Sequence, residues 1–121
     1  ENEIKQWLDN GMEIGSHTQN HVHLAETSIE IATKEIMQSK LDLEKRFNCQ
    51  ITHFCYPYGS YNNEIINIAK NANYQTATTV NRSRIHRGDN LLALSRIPIT
   101  HRTFPHLFLM KILSKYEDRH A

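Results

Sequence analysis

Two histidines four positions apart, His17 and His21, lie in the segment Gly15-Ser16-His17-Thr18-Gln19-Asn20-His21, directly after the strand-like stretch Met12-Glu13-Ile14. Two neutral imidazoles at this spacing can grip one divalent metal, and a metal turns water into a nucleophile near neutral pH. A zincin protease would need Glu directly after the first histidine as its general base, but residue 18 is Thr. A zinc finger would need a cysteine pair before the histidine pair, whereas Cys49 and Cys55 come after it at the wrong spacing. Two readings stay open: a rim site on an α/β sheet completed by a third ligand elsewhere, or a pair of solvated loop histidines. His23, close by, reads as a surface polar residue.

A second segment with chemical potential lies far downstream, at Phe54-Cys55-Tyr56-Pro57-Tyr58-Gly59-Ser60-Tyr61. Tyr56-Pro57-Tyr58-Gly59 fits a turn that merely ends a strand. It also fits a catalytic use of backbone geometry, because a fixed proline φ and a permissive glycine can aim the Tyr58 N–H at a developing oxyanion.

The elements that must position these residues can be read from periodicity and stop signals. Ile4, Trp7 and Leu8 fall on one helical face, and Asn10-Gly11 supplies a left-handed stop. Met12 to Ser16 is predicted as a short strand. Thr27-x-x-Glu30 has the form of a capping box for a helix that runs to about Phe47, with Ala32, Ile36, Leu43 and Phe47 on its apolar face. Ile51 to Tyr56 reads as a second strand, ended by Pro57 and Gly59. Asn62 or Asn63 can cap a helix that buries Ile65, Ile66, Ala69 and Ala72, with Asn73 at a left-handed exit. Tyr74 to Val80 and Leu92 to Ile99 are the third and fourth strands. Thr103 is the expected cap of a last amphipathic helix, with Pro105 in its first turn and Leu107, Met110 and Leu113 among its apolar residues.

Strands alternating with helices imply a parallel sheet, so the fold class is α/β. Four strands cannot close an eight-stranded barrel, which leaves a partial, distorted (β/α) barrel or an open sheet. Ligands in such folds sit beyond the carboxyl ends of the strands. Both His17 to His21 and Pro57 to Tyr61 are expected at that rim.

With those residues in place, a resemblance becomes specific. Met-Glu-Ile-Gly-Ser-His-Thr-x-x-His resembles the metal-binding motif of the NodB-type polysaccharide deacetylases, carbohydrate esterase family 4. Phe-x-x-Pro-Tyr-Gly is similar to a second signature of that family. Glu35-Ile36-x-x-Ser39-Lys40-x-x-Leu43-Glu44, Ala72-Asn73-Tyr74-x-x-Ala77 and Leu94-Ser95-Arg96-Ile97-Pro98-Ile99 resemble its intervening helix, its helix-to-strand junction and its Leu-x-Arg-Ile segment. Cys55 stands where many members have Arg, a form closer to the poly-N-acetylglucosamine deacetylase branch.

The resemblance implies a fold of the NodB type, with residues 1–121 forming a single partial domain truncated at its N-terminus. It implies His17 and His21 as metal ligands, Tyr58 as the oxyanion donor, and Pro57 and Tyr61 as residues lining the substrate groove. The cofactor it implies is a divalent metal, zinc first, with cobalt or nickel as alternatives. The substrate implied is an N-acetylated glycan outside the cell, in the periplasm or in the cell envelope. The family's Asp-Asp strand end, which supplies the base and a metal ligand, has no counterpart in Glu1 to Asn10, because Asp9 lies on a helix. The fragment by itself is therefore expected to be inactive. The late Leu-x-His motif that supplies the general acid has no clear counterpart either, and His101 is the nearest substitute by position.

Composition narrows the alternatives. The chain has 121 residues, 39% of them hydrophobic, enough for one core. No apolar run is long enough to span a bilayer. The acidic start Glu1-Asn2-Glu3-Ile4 carries no secretory signal and reads as the middle of a longer chain. A net charge of +1 predicts no strong pull on polyanions. Arg82, Arg84, Arg87, Arg96 and Arg102 read as a solvated face, because neither aromatic interleaving nor a reading helix accompanies them. Strand geometry puts Cys49 and Cys55 about 20 Å apart, too far for a disulfide. The rival functional readings are a non-catalytic carbohydrate-binding module and a small metal-binding interaction domain.

Overall fold

The computed structural model describes residues 1–120, with side chains described through Asp118. Three parallel strands, β1 (His53–Cys55), β2 (Thr76–Arg82) and β3 (Leu94–Arg96), lie in the order β1-β2-β3. Phe54 of β1 sits opposite Ala77 of β2, and Thr78 of β2 opposite Leu94 of β3. The expected first strand is reduced to a single parallel bridge between Ser16 and Phe54, closed by Ser16 N–H to His53 O at 2.9 Å and Cys55 N–H to Ser16 O at 3.0 Å. Residues 12–15 run beside β1 without a ladder of their own. The other strands begin and end inside their expected ranges, except that β2 continues two residues past Val80.

Helices α1 (Asn2–Asp9), α2 (Ile29–Phe47), α3 (Asn63–Asn71) and α4 (Pro105–Leu113) fill the intervals. Gly11 ends α1 at φ +78°, and Asn48 and Asn73 follow α2 and α3 at φ +49° and +60°. These are left-handed positions, which glycine and asparagine tolerate best. The cap of α2 is Ser28 rather than Thr27: its hydroxyl accepts from Ile31 N–H, while the Thr27 hydroxyl donates backwards to Leu24 O. Asn62 caps α3 through Ile65 N–H.

The core lies between the sheet and the helices α2 and α3. Ala32 and Ile36 from α2, Ile65 and Ala69 from α3, and Phe54 and Ala77 from the sheet are buried there. Tyr56 and Tyr74 enter the same core and keep their hydroxyls paired, to Leu92 O at 2.8 Å and Ile36 O at 3.2 Å. Burial pushes both phenols above their ordinary pKa.

The last helix departs from expectation. Thr103 does not cap it; Phe104 holds the cap position without a side-chain bond, and the Thr103 hydroxyl instead accepts from Thr100 N–H. The buried residue of α4 is Lys111, whose Nζ donates to Pro98 O and Glu117 Oε1, whereas Met110 and Leu113 are exposed. Arg82 and Arg84 are not merely solvated. Arg82 bonds the buried Glu117 carboxylate, and Arg84 grips Asp118 at 2.7 Å. Cys49 and Cys55 are both free. No described helix is long and apolar enough to cross a membrane.

Candidate active site

Ser16 and Phe54 pair in parallel, so the chain leaves both segments at the same end of the sheet, into His17 on one side and Pro57 on the other. The two exits are tied directly: His17 Nδ1 lies 2.6 Å from Cys55 O. In the neutral imidazole, Nδ1–H donates to that carbonyl, which leaves the Nε2 lone pair free to act as a ligand.

His17 and His21 face each other with ring centroids 4.8 Å apart, and the His21 ring meets Tyr58 edge-on at 4.5 Å. His17, His21 and Tyr58 are thus brought together. Pro57 is buried in the turn, and Tyr61 stacks on Tyr56 at 5.2 Å with its hydroxyl accepting from Asn81 Nδ2. His101 lies in an exposed turn and makes no ring contact or hydrogen bond with this group among the described residues.

Backbone conformation sets the site apart from the rest of the chain. Apart from the two asparagines that end helices, the non-glycine residues with positive φ among the described residues are Thr18 (64°), His21 (55°) and Tyr58 (57°). Such conformations cost about 1 kcal/mol or more each and persist only where the surroundings enforce them. Around Tyr58 the backbone is held by two turn bonds and a close approach to β2. Gly59 N–H donates to Tyr56 O and Ser60 N–H to Pro57 O, and neither turn bond uses the Tyr58 amide. Gly59 has φ +67°, and a Cβ there would lie 2.4 Å from Val80 Cγ2 of β2, so the turn needs glycine at this point.

Around His17 to His21 the enforcement comes from α2. Glu35 is buried and accepts from Gln19 N–H and Asn20 N–H, both at 2.9 Å, and from Asn20 Nδ2 at 2.6 Å. Burial alone would raise its pKa; the bonds from Asn20 and Gln19 outweigh that and hold the carboxyl below its ordinary range. The Thr18 hydroxyl accepts from His21 N–H at 3.1 Å and closes the loop on itself. Ser16 and Ser39 hydroxyls meet at 2.7 Å beneath it.

Sequence reading missed Glu35 as a loop anchor. It also missed His23, whose ring stacks on Tyr58 at 4.0 Å with the planes 4° apart. The available signal for Glu35 was an acidic residue one helical turn from Ala32 and directly before Ile36 on a buried face, where an unpaired carboxylate would be costly.

As a donor set, two imidazoles with a fixed tautomer at His17 fit a divalent metal of the zinc type. Among the described residues no group of three or more His, Cys, Asp or Glu side chains is assembled around one point. A metal held at this point would have the His17 and His21 nitrogens as its donors from these residues.

The polysaccharide deacetylase family model matches residues 1–77. A Bacillus subtilis protein that carries a polysaccharide deacetylase name, YxkH, is 29% identical over 100 residues, which are 83% of this chain and 36% of that protein. The peptidoglycan-N-acetylglucosamine deacetylase of Bacillus cereus is 37% identical over 73 residues, 60% of this chain and 34% of the enzyme. Among solved structures, the Streptococcus pyogenes deacetylase PplD, determined with acetate, superposes with a TM-score of 0.87 at 32% identity, covering 92% of this chain and 49% of that one. The chain thus spans about a third of the length of these curated relatives and about half of the solved one. With both motifs on one rim of a parallel sheet and the family model matched over residues 1–77, the chain belongs to the polysaccharide deacetylase family.

Proposed function

We propose that residues 1–121 are part of a metal-dependent deacetylase domain that removes N-acetyl groups from an N-acetylglucosamine-type glycan of the cell envelope. The observation that carries this reading is the meeting of the His17–His21 pair with the Tyr58 turn at one sheet end. His17 and His21 would hold the cation, zinc in first place and cobalt or nickel as alternatives. When bound, that cation supplies an acidified water and polarisation of the acetamide carbonyl.

The residues of this chain have separate tasks in the reaction. Cys55 O holds His17 in the tautomer that presents Nε2. The Tyr58 amide, set between Pro57 and Gly59 and unused by the turn's own bonds, donates to the oxyanion that develops as water attacks the acetamide carbon. Tyr61 lines the groove for the sugar; Pro57, expected beside it there, is fully buried and instead shapes the turn from beneath. Cleavage of the C–N bond gives acetate and a free amine, and acetate is what the solved Streptococcus pyogenes relative holds. A base to take the water proton and an acid for the leaving amine are needed as well. We assign them, with a third metal ligand, to the part of the domain outside these 121 residues.

Acetate release from an N-acetylglucosamine oligomer, with Zn²⁺, Co²⁺ or Ni²⁺ added, tests the proposal. The full-length protein should release acetate, and its His21→Ala variant should not. The 121-residue chain alone should be inactive, since general acid–base catalysis contributes about 10² to 10⁴ in rate. Full-length protein that binds the oligomer but releases no acetate would instead favour a carbohydrate-binding module. Turnover by the 121-residue chain would show that the base has been misplaced.

A further inference from the structure

Tyr58 pairs a left-handed backbone with an exposed ring, a combination that a bulky side chain rarely sustains unaided. Among the described residues its ring meets two others. His21 meets it edge-on at 4.5 Å, and His23 lies flat against it, 4.0 Å away and within 4° of parallel. No ring contact joins His23 to His17 or His21, so His23 acts on this group through Tyr58.

His23 is itself on firm ground. It precedes the short 3-10 turn Leu24–Glu26, whose Leu24 is fully buried in the core. The next residue, Ala25, donates its N–H to Ser60 Oγ at 3.0 Å. The loop that carries the imidazole pair and the turn that carries Tyr58 are therefore joined twice on this side, once by a stack and once by a hydrogen bond.

We infer that His23 is a positioning residue: its ring holds the Tyr58 side chain against the rim and thereby fixes the Pro57–Gly59 turn that presents the Tyr58 amide. The inference rests on the deacetylase reading for its catalytic consequence, but the stack is a property of the fold alone. What matters in His23 is a flat ring of the right size. Its Nδ1 lies 3.8 Å from the Glu26 carboxylate, but that contact is solvent-exposed and lies outside the stack, so phenylalanine should replace His23 and alanine should not.

The full-length protein with His23→Ala and His23→Phe tests this by two readouts. The first is the NMR shift of the Tyr58 ring protons, assigned by their loss in Tyr58→Phe. In the wild type they should be displaced upfield by the stacked ring, lose that displacement in His23→Ala and keep it in His23→Phe. The second is acetate release. His23→Ala should lower kcat about two- to tenfold, the rate equivalent of one aromatic pair, with KM little changed, and His23→Phe should restore most of it. Unchanged Tyr58 shifts in His23→Ala, or a His23→Phe enzyme as impaired as His23→Ala, would overturn the inference. Wild-type protein that releases no acetate would overturn the deacetylase reading instead, and the shift comparison would still decide whether His23 holds Tyr58.

Discussion

Glu35 and Glu117 are both buried carboxylates, and the chain satisfies them in opposite ways. Glu35, on α2, is met by neutral donors alone: two backbone amides and the Asn20 side-chain amide. Glu117, near the end of the chain, is met by cations: the buried Lys111 ammonium and the Arg82 guanidinium. In each case burial pushes the carboxyl pKa up and the partners more than reverse it, leaving both below the ordinary range. The difference lies in what the bonds achieve. Three directed N–H bonds specify the path of a loop whose Thr18 and His21 sit at positive φ. Two cations on one carboxylate specify little local geometry, but they fasten the C-terminal turn to β2 and α4. One carboxylate serves the site and the other closes the fold.

The largest effect expected from breaking this comparison belongs to Glu117→Ala. It leaves the Lys111 ammonium buried beside Pro98 O and the Tyr116 ring but with no counter-charge from Glu117, which should cost about 3–5 kcal/mol of stability. Urea unfolding would register this loss, while Zn²⁺ affinity of the folded protein should stay as in the wild type. Glu35→Ala comes next. Orphaning the Gln19 and Asn20 amides should cost about 2 kcal/mol, and freeing the loop should also weaken Zn²⁺ binding by about tenfold. A Glu35→Ala protein that is destabilised but binds zinc normally would show that the loop holds itself, through Thr18 and His21, without help from α2.

The smallest and most diagnostic effect is on pH dependence. Both carboxyls have folded pKa values below the ordinary 4.5. Each therefore contributes stability that is fully present above about pH 4.5 and is lost as pH falls through the folded value. Unfolding free energy measured from pH 6 down to pH 3 should decline on the acid side. In Glu117→Gln or Glu35→Gln the decline should be shallower, since one titrating group has been removed. An acid limb of unchanged slope in both variants would mean that other carboxylates, Asp118 with Arg84 among them, govern acid unfolding.

How far the sequence revealed these features depended on whether their partners were local. Helix extents were legible because apolar spacing and exit residues such as Gly11 and Asn73 are local signals. The register of motifs on one rim was legible too, since alternating strands and helices send both segments to the carboxyl ends. The first strand was over-read, because alternation in Met12 to Ile14 says nothing about whether a neighbour is there to pair. Ser28 and Thr27 are adjacent hydroxyls, and only the geometry of the first turn decides which one accepts the Ile31 amide. The apolar stripe of α4 suggested a buried face, whereas the ion pair of Lys111 with Glu117 set which side turns inward. At the candidate site, residue types and spacing marked His17, His21 and Tyr58. Glu35 with Asn20, and His23 with Tyr58, are partners 15 and 35 positions apart, which no periodicity reports.

The central claim is that His17 and His21 together form the metal-holding face of this rim. Calorimetric titration of Zn²⁺ into the full-length protein tests it most directly, beside variants carrying His17→Ala with His21→Ala and, as controls, His53→Ala and His101→Ala. The expected result is one site per chain, lost in the double variant and kept in both controls. Equal zinc binding by the wild type and the double variant would contradict the claim.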